Sequence, residues 1–155
     1  MPILGKLSAN VFPLFYEEAR VARYAVLPRS IGGVTVPGEG PEIVGSQWAP
    51  HFDLPGILVE APAVLFFTAT PHDEQTRITV RVTSGGDHLV NHTFADGNPR
   101  SWHLAIRPLL LKRDDNELIF NVYDGASATF SDAVILYTSN ELTIKKRAGA
   151  VFAPQ

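Results

Sequence analysis

Alternation of apolar and polar residues dominates the chain from residue 64 onward. The run RITVRVT, from Arg77 to Thr83, puts its branched apolar residues on one face and its threonines and Arg81 on the other. Such alternation is typical of a half-buried β-strand. The pattern predicts strands at Val64 to Thr70, Arg77 to Thr83, His88 to Phe94, Trp102 to Ile106, Glu117 to Tyr123, Thr129 to Tyr137 and Glu141 to Lys145.

Turn residues separate these strands at short intervals. Gly85-Gly86 predicts a β-hairpin, because glycine adopts a positive φ without strain. Asp124-Gly125 predicts a second hairpin, between the strands that begin at Glu117 and Thr129. Short strands with turn signals roughly every 8–12 residues are typical of sandwiches and barrels. We therefore predict an all-β fold, an antiparallel two-sheet β-sandwich of the jelly-roll type.

The N-terminal third has a different pattern. Leu14 to Ala22 fits a helix that begins after Pro13, or an extended segment that leads into a strand at Tyr24 to Leu27. We favour the extended alternative. From residue 28 to 62, repeated prolines and glycines predict short edge strands and ordered loops. We expect one domain over residues 1–155, in which an extension and loops at 1–63 pack on a core jelly roll at 64–145.

The composition argues against several functions. The chain has 155 residues, no cysteine and a formal net charge of −3, so disulfides and thiolate chemistry are excluded. One short basic run, Lys145 to Arg147, is too little for a nucleic-acid interface. The sequence contains neither a membrane-length apolar run nor a recognisable secretory leader. The expected location is cytoplasmic, and export or virion association by a route not visible in the sequence stays open.

The segment from Ala63 to Lys145 resembles the galactose-binding-like jelly roll of many carbohydrate-binding modules. The resemblance rests on the strand AVLFFTA, the hairpin VRVTSGGDHLV, the segment LLLKRDDNELIFNV and the strand SDAVILY. It implies a core position for Leu109 to Leu111 and a structural role for Asn116 in the turn before its strand. The aspartates are scattered and do not form a recognisable calcium-ligand cluster. We predict no metal and no cofactor.

The candidate binding residues are aromatic rings, for the apolar face of a sugar, and polar groups, for its hydroxyls. Trp48 is the first choice, because the loop GSQWAPHFD offers both exposure and polar neighbours. The predicted ligand-binding residues are Trp48, His51, His88, Asn91, His92, Arg100 and Trp102, with Tyr123 and Tyr137 as further aromatic candidates.

Strand geometry argues against catalysis by these residues. His88 and His92 would lie about 13 Å apart along a strand, too far to share one metal ion. Adjacent acids such as Asp114-Asp115 diverge on an extended chain and cannot flank a glycosidic bond. We therefore predict a non-catalytic, lectin-like module with a glycan as partner. The alternative is a structural self-assembling protein, such as a filament, capsid-decoration or tail component, and we expect a homo-oligomer.

Overall fold

Two antiparallel β-sheets pack face to face around one core. The computed structural model describes residues 20–141. The strands are β1 Val21–Val26, β2 Val34–Val36, β3 Ile43–Val44, β4 Gln47–Trp48, β5 His51–Phe52, β6 Ala63–Pro71, β7 Arg77–Val82, β8 His88–Thr93, β9 Arg100–Ile106, β10 Asn116–Val122 and β11 Ala128–Ser139. The predicted all-β, two-sheet jelly roll is confirmed.

The order of the strands puts a broad, continuous surface on each sheet. Sheet A runs β1, β11, β6, β9, and β2 also pairs with β11. Sheet B runs β3, β4, β10, β7, β8, and β5 also pairs with β10. Because β8 and β9 are edge strands of different sheets, their connection crosses from one layer to the other.

An aromatic cluster joins the two sheets in the core. Trp48 stacks on Phe120 within sheet B, with 4.7 Å between ring centroids. Phe120 meets Phe130 of sheet A at 5.0 Å and Phe67 of sheet A edge-on at 5.4 Å. Each such pair contributes about 0.5–1.5 kcal/mol beyond the burial of its surface. This cluster fixes how the two layers lie against each other.

Most predicted strands from residue 64 onward are confirmed, and so is the strand near Tyr24, which is part of β1. The hairpin at Gly85-Gly86 is confirmed, since β7 pairs with β8. The segments at Leu14 to Ala22 and Glu141 to Lys145 lie largely outside the described residues.

The predicted hairpin at Asp124-Gly125 is wrong. Both residues have positive φ, 58° and 73°, so the chain does turn there. However, β10 pairs within sheet B and β11 within sheet A. The inward side chains of both strands pack on each other across the core, as Phe120 and Phe130 do, and the turn therefore connects two layers.

The turn before β10 is partly as predicted. Asn116 is buried and holds this turn: its Oδ1 accepts from the Lys112 amide at 2.8 Å, and its Nδ2 donates to the Lys112 carbonyl at 2.7 Å. Leu111 is buried, but Leu109 is 73% exposed and has a φ of 74°. The core assignment of Leu109 is wrong, because a left-handed turn directs its side chain outward.

Among residues 20–141, the structure contains no helix long and apolar enough to cross a membrane.

Candidate ligand-binding face

The outer face of sheet B carries polar side chains aligned across its strands. Directly paired residues of antiparallel strands lie on the same face. The register of β4, β10, β7 and β8 therefore places Gln47, Asn121, Thr79 and Asn91 in one line. We call this line the amide row. It spans about 14 Å, given roughly 4.8 Å between neighbouring strands.

Charged and aromatic side chains flank the amide row on both sides. Tyr123 and Arg77 lie next to it toward the end of β10. Arg81 and His88 lie on its other side, as register partners of each other. Further along, His51 pairs with Glu117. We define the sheet-B face as the amide row together with His51, Arg77, Arg81, Thr83, His88, Thr93, Glu117, Ile119 and Tyr123.

Hydrogen bonds hold the asparagines of the amide row in place. Ser46 donates its hydroxyl to Asn121 Oδ1 at 3.2 Å, and Arg77 donates its Nε–H to Asn91 Oδ1 at 3.0 Å. The amide N–H groups of both asparagines form no hydrogen bond with any residue in the range 20–141, and neither does the side chain of Gln47. The row therefore offers several free donors to solvent.

Tyr123 and Arg77 form a packed pair beside the row. The guanidinium carbon of Arg77 lies 4.4 Å from the centroid of the Tyr123 ring. The Tyr123 hydroxyl is 3.1 Å from the hydroxyl of Thr79, which is 2% exposed. A guanidinium over an aromatic ring is attracted by the ring electrons. Both side chains are thus fixed against the sheet.

His51 bridges two carboxylates at the far end of the sheet-B face. Its Nδ1 is 2.8 Å from Asp115 Oδ1, and its Nε2 is 3.0 Å from Glu117 Oε2. The hydrogen bond to Asp115 raises the pKa of His51; desolvation opposes this rise, and the charge of Glu117 adds to it. Thr83 donates its hydroxyl to the other Glu117 oxygen at 2.6 Å. Both oxygens of Glu117 are therefore engaged.

His92, Arg100 and Trp102 form a separate cluster at the edge between the sheets. Trp102 is half-buried and stacks on Phe67 at 4.9 Å, while His92 meets it edge-on at 5.5 Å. The Arg100 guanidinium lies 5.2 Å from the Trp102 centroid. Burial, followed by the charge of Arg100, lowers the pKa of His92.

This edge cluster borders a cavity of about 310 Å³ along the β8–β9 connection. The cavity is lined by His92 and Arg100 but not by Trp102. Because His92 pairs with the inward residue Ile78, it points to the opposite side of β8 from Asn91. The structure thus divides the predicted residues: His51, His88 and Asn91 lie on the sheet-B face, and His92, Arg100 and Trp102 lie at the edge.

Trp48 is not available to a ligand, so its predicted exposure is wrong. It is 0% exposed and lies on the inner side of sheet B. The pairing of β4 with β10 directs Gln47 outward and Trp48 toward the core, where burying the large ring is most favourable. Tyr137 is also buried, and its hydroxyl donates to the Pro55 carbonyl at 3.0 Å.

The predicted ligand-binding residues do not include Gln47, Arg77, Thr79 or Asn121, although Gln47 is one of the polar neighbours that favoured the Trp48 loop. The signal for three of them was present: they are the polar members of the alternating runs in β7 and β10, whose apolar members were assigned to the core. What the alternation could not show was which strands are neighbours. Without that order, Asn121 and Asn91 had no reason to be placed together.

Two lines of mostly apolar side chains cross part of the outer face of sheet A. One line of register partners runs Tyr24, Leu136, Val64, Ala105, and the next runs Val26, Val134, Phe66, His103. Tyr24 is 70%, Val26 43% and Leu136 36% exposed. We call these two lines the apolar rows.

No group of three or more His, Asp or Glu side chains within residues 20–141 is placed to hold a metal ion.

No protein-family model matches the sequence, and no curated protein matches it significantly. Solved structures do resemble the fold. Dimeric latent PorU from Porphyromonas gingivalis matches with a TM-score of 0.58 and 13% identity, over 80% of this chain and 13% of the PorU chain. At that identity, the likeness shows a shared fold alone.

Carbohydrate-binding modules match at lower TM-scores. The CBM36-1 domain of a multidomain xylanase from the hindgut metagenome of Trinervitermes trinervoides has a TM-score of 0.44 and 9% identity, over 80% of this chain and 100% of that domain. The C-terminal CBM6 of a laminarinase from Zobellia galactanivorans has a TM-score of 0.42 and 9% identity, over 76% of this chain and 99% of the module.

Proposed function

We propose that this chain is a non-catalytic carbohydrate-binding domain whose ligand lies along the amide row. One observation carries the proposal: the fixed asparagines Asn91 and Asn121, together with Gln47, present free amide N–H groups in a line across four strands. The oxygen of a sugar hydroxyl accepts a hydrogen bond from such an N–H group, and an amide oxygen accepts a hydrogen bond from a sugar hydroxyl.

The state of Glu117 supports binding rather than catalysis. Hydrolysis of a glycosidic bond generally requires two carboxyl groups on either side of the bond. On the sheet-B face, Glu117 is already held by His51 at 3.0 Å and by Thr83 at 2.6 Å. These contacts fix its position, and the face is therefore better suited to holding a glycan than to cleaving it.

The variant Asn121→Ala tests this proposal. It removes the central amide of the row, and because one hydrogen bond contributes about 0.5–1.5 kcal/mol, we expect affinity for the bound oligosaccharide to fall by about 2-fold to 10-fold. Oligosaccharide arrays of neutral and acidic glycans would identify the ligand, and calorimetric titration would give its dissociation constant.

Asn140→Ala is the matched control, because Asn140 is an exposed asparagine that follows β11 of sheet A. It should leave affinity unchanged. Equal losses in both variants, or binding by neither the original chain nor any variant, would contradict a ligand on the amide row.

A second function, self-assembly, is favoured by the apolar rows. Exposed apolar surface that continues across several strands is typical of contacts between proteins. We propose that a second copy of this chain covers the rows, so that outer faces of sheet A pack together. Tyr24→Glu places a charge in this contact, whereas Val44→Glu changes an equally exposed apolar residue, 73% exposed, on sheet B.

Light scattering of the purified chain tests this assembly. The original chain and Val44→Glu should have the mass of a dimer, and Tyr24→Glu that of a monomer. A monomeric mass for the original chain at high concentration rules this contact out.

A further inference from the structure

We propose that the glycan held by the sheet-B face is acidic, bearing carboxylate or sulfate groups, and that Arg77 binds its anionic group. This inference rests on the proposed function and names the ligand class of the same site.

Arg77 is held in position before any ligand arrives. Its guanidinium packs on Tyr123 at 4.4 Å, and its Nε–H is bonded to Asn91 at 3.0 Å. The terminal N–H groups have no hydrogen-bond partner within residues 20–141. A fixed guanidinium loses little freedom when it binds, and its planar fork matches the paired oxygens of a carboxylate or sulfate.

Within residues 20–141, the arginines of the sheet-B face have no acidic partner, whereas three arginines elsewhere on the chain do. Arg23, Arg107 and Arg113 each lie within 4 Å of a carboxylate, at 3.6, 3.9 and 3.8 Å. In the part of the chain that the structure describes, neither Arg77 nor Arg81 forms an ion pair. Their positive charges are available to a ligand.

The positive charges lie on both sides of the amide row. Arg77 is on one side and Arg81 on the other, with His88 beside Arg81. Four residues along a strand correspond to about 13 Å, so the two arginines could reach different anionic groups of one polymer. The acid on this face, Glu117, is placed beyond Arg81 and is engaged by His51.

The net charge of the chain does not by itself favour an acidic ligand. At −3 overall, the molecule does not attract polyanions as a whole. Binding of an acidic polymer therefore requires a local site, and the sheet-B face provides one where arginine charges stand next to amide donors.

Paired glycans that differ only in charge test the proposal. Suitable probes are oligogalacturonate against its methyl ester, and sulfated against desulfated galactan oligosaccharides, alongside neutral xylo- and laminari-oligosaccharides. We expect an acidic member to bind tighter than its neutral counterpart. Arg77→Gln should weaken that binding by about 10-fold to 100-fold, since hydrogen bonds between charged groups are the stronger class.

Two further variants make the result specific. Arg77→Lys keeps the charge but loses the planar fork, and it should recover only part of the affinity. Arg113→Gln removes one positive charge elsewhere, from a side chain that is 65% exposed and lies in the segment before β10. It should leave binding unchanged. Thermal melting of each variant establishes that it folds.

The outcomes separate the two proposals. Equal binding of acidic and neutral members, or acidic binding that Arg77→Gln and Arg77→Lys leave intact, overturns the acidic ligand while the carbohydrate-binding function stands. Binding of no oligosaccharide in either class overturns both.

Discussion

His51, a predicted ligand contact, also has structural contacts that the sequence did not indicate. It was a candidate for hydroxyl recognition, yet both of its ring nitrogens are taken by the carboxylates of Asp115 and Glu117. Through these contacts it connects the short strand β5 to β10 and to the turn before β10. A loop histidine with polar neighbours in sequence gave no sign of these partners, because both acids lie more than sixty positions away.

The pH dependence of stability tests this role of His51. Its pKa is raised in the folded state, so its stabilising contribution is fully present below the unfolded value of about 6.5 and disappears as the pH rises through the folded value. His51→Gln should therefore lower the melting temperature more at pH 5.5 than at pH 9. Because the side chain is 48% exposed, we expect an effect of less than about 1 kcal/mol.

His103→Gln is the control, since His103 lies on the outer face of sheet A and forms no ion pair within residues 20–141. A loss for His51→Gln that is the same at both pH values, or greater at pH 9, would show that the ion pairs do not stabilise the fold.

At the scale of strands, the long alternating runs were predictable and the short ones were not. In β7, and in β10 from Leu118 onward, every second residue is apolar and buried, so the pattern alone assigns Ile78 and Phe120 to the core. Strand β4 consists of two residues, Gln47 and Trp48, which are too few to show an alternation of apolar and polar positions. Its orientation is set by pairing with β10, a tertiary contact that sequence pattern does not reveal.

Replacing Trp48 measures how much the core depends on this short strand. Removing a buried tryptophan costs about 3–5 kcal/mol of unfolding free energy, and Trp48 is 0% exposed against Phe120 and Phe130. We expect Trp48→Ala to lose that amount in urea denaturation. Trp102→Ala, at the half-buried edge, should lose less; a loss as large as that of Trp48→Ala would place the edge cluster in the core.

At the scale of the molecule, the two outer faces differ in chemistry. Sheet B presents amides, arginines and Tyr123, while sheet A presents the apolar rows around Tyr24 and Leu136. The sequence predicted the two-sheet fold because alternation and turns are local signals. The sheet-B face depends on the order β4, β10, β7, β8, so it could only be recognised once the strands were in place.

Binding of a glycan along the amide row can be observed by NMR titration of the ¹⁵N-labelled chain with the oligosaccharide that binds it best on the array. We expect the side-chain amide signals of Gln47, Asn91 and Asn121 to shift in proportion to occupancy, while the signals of Tyr24 and Leu136 on sheet A stay in place. Shifts confined to Trp102 and its neighbours at the sandwich edge, or to the apolar rows, would contradict the proposed site on sheet B.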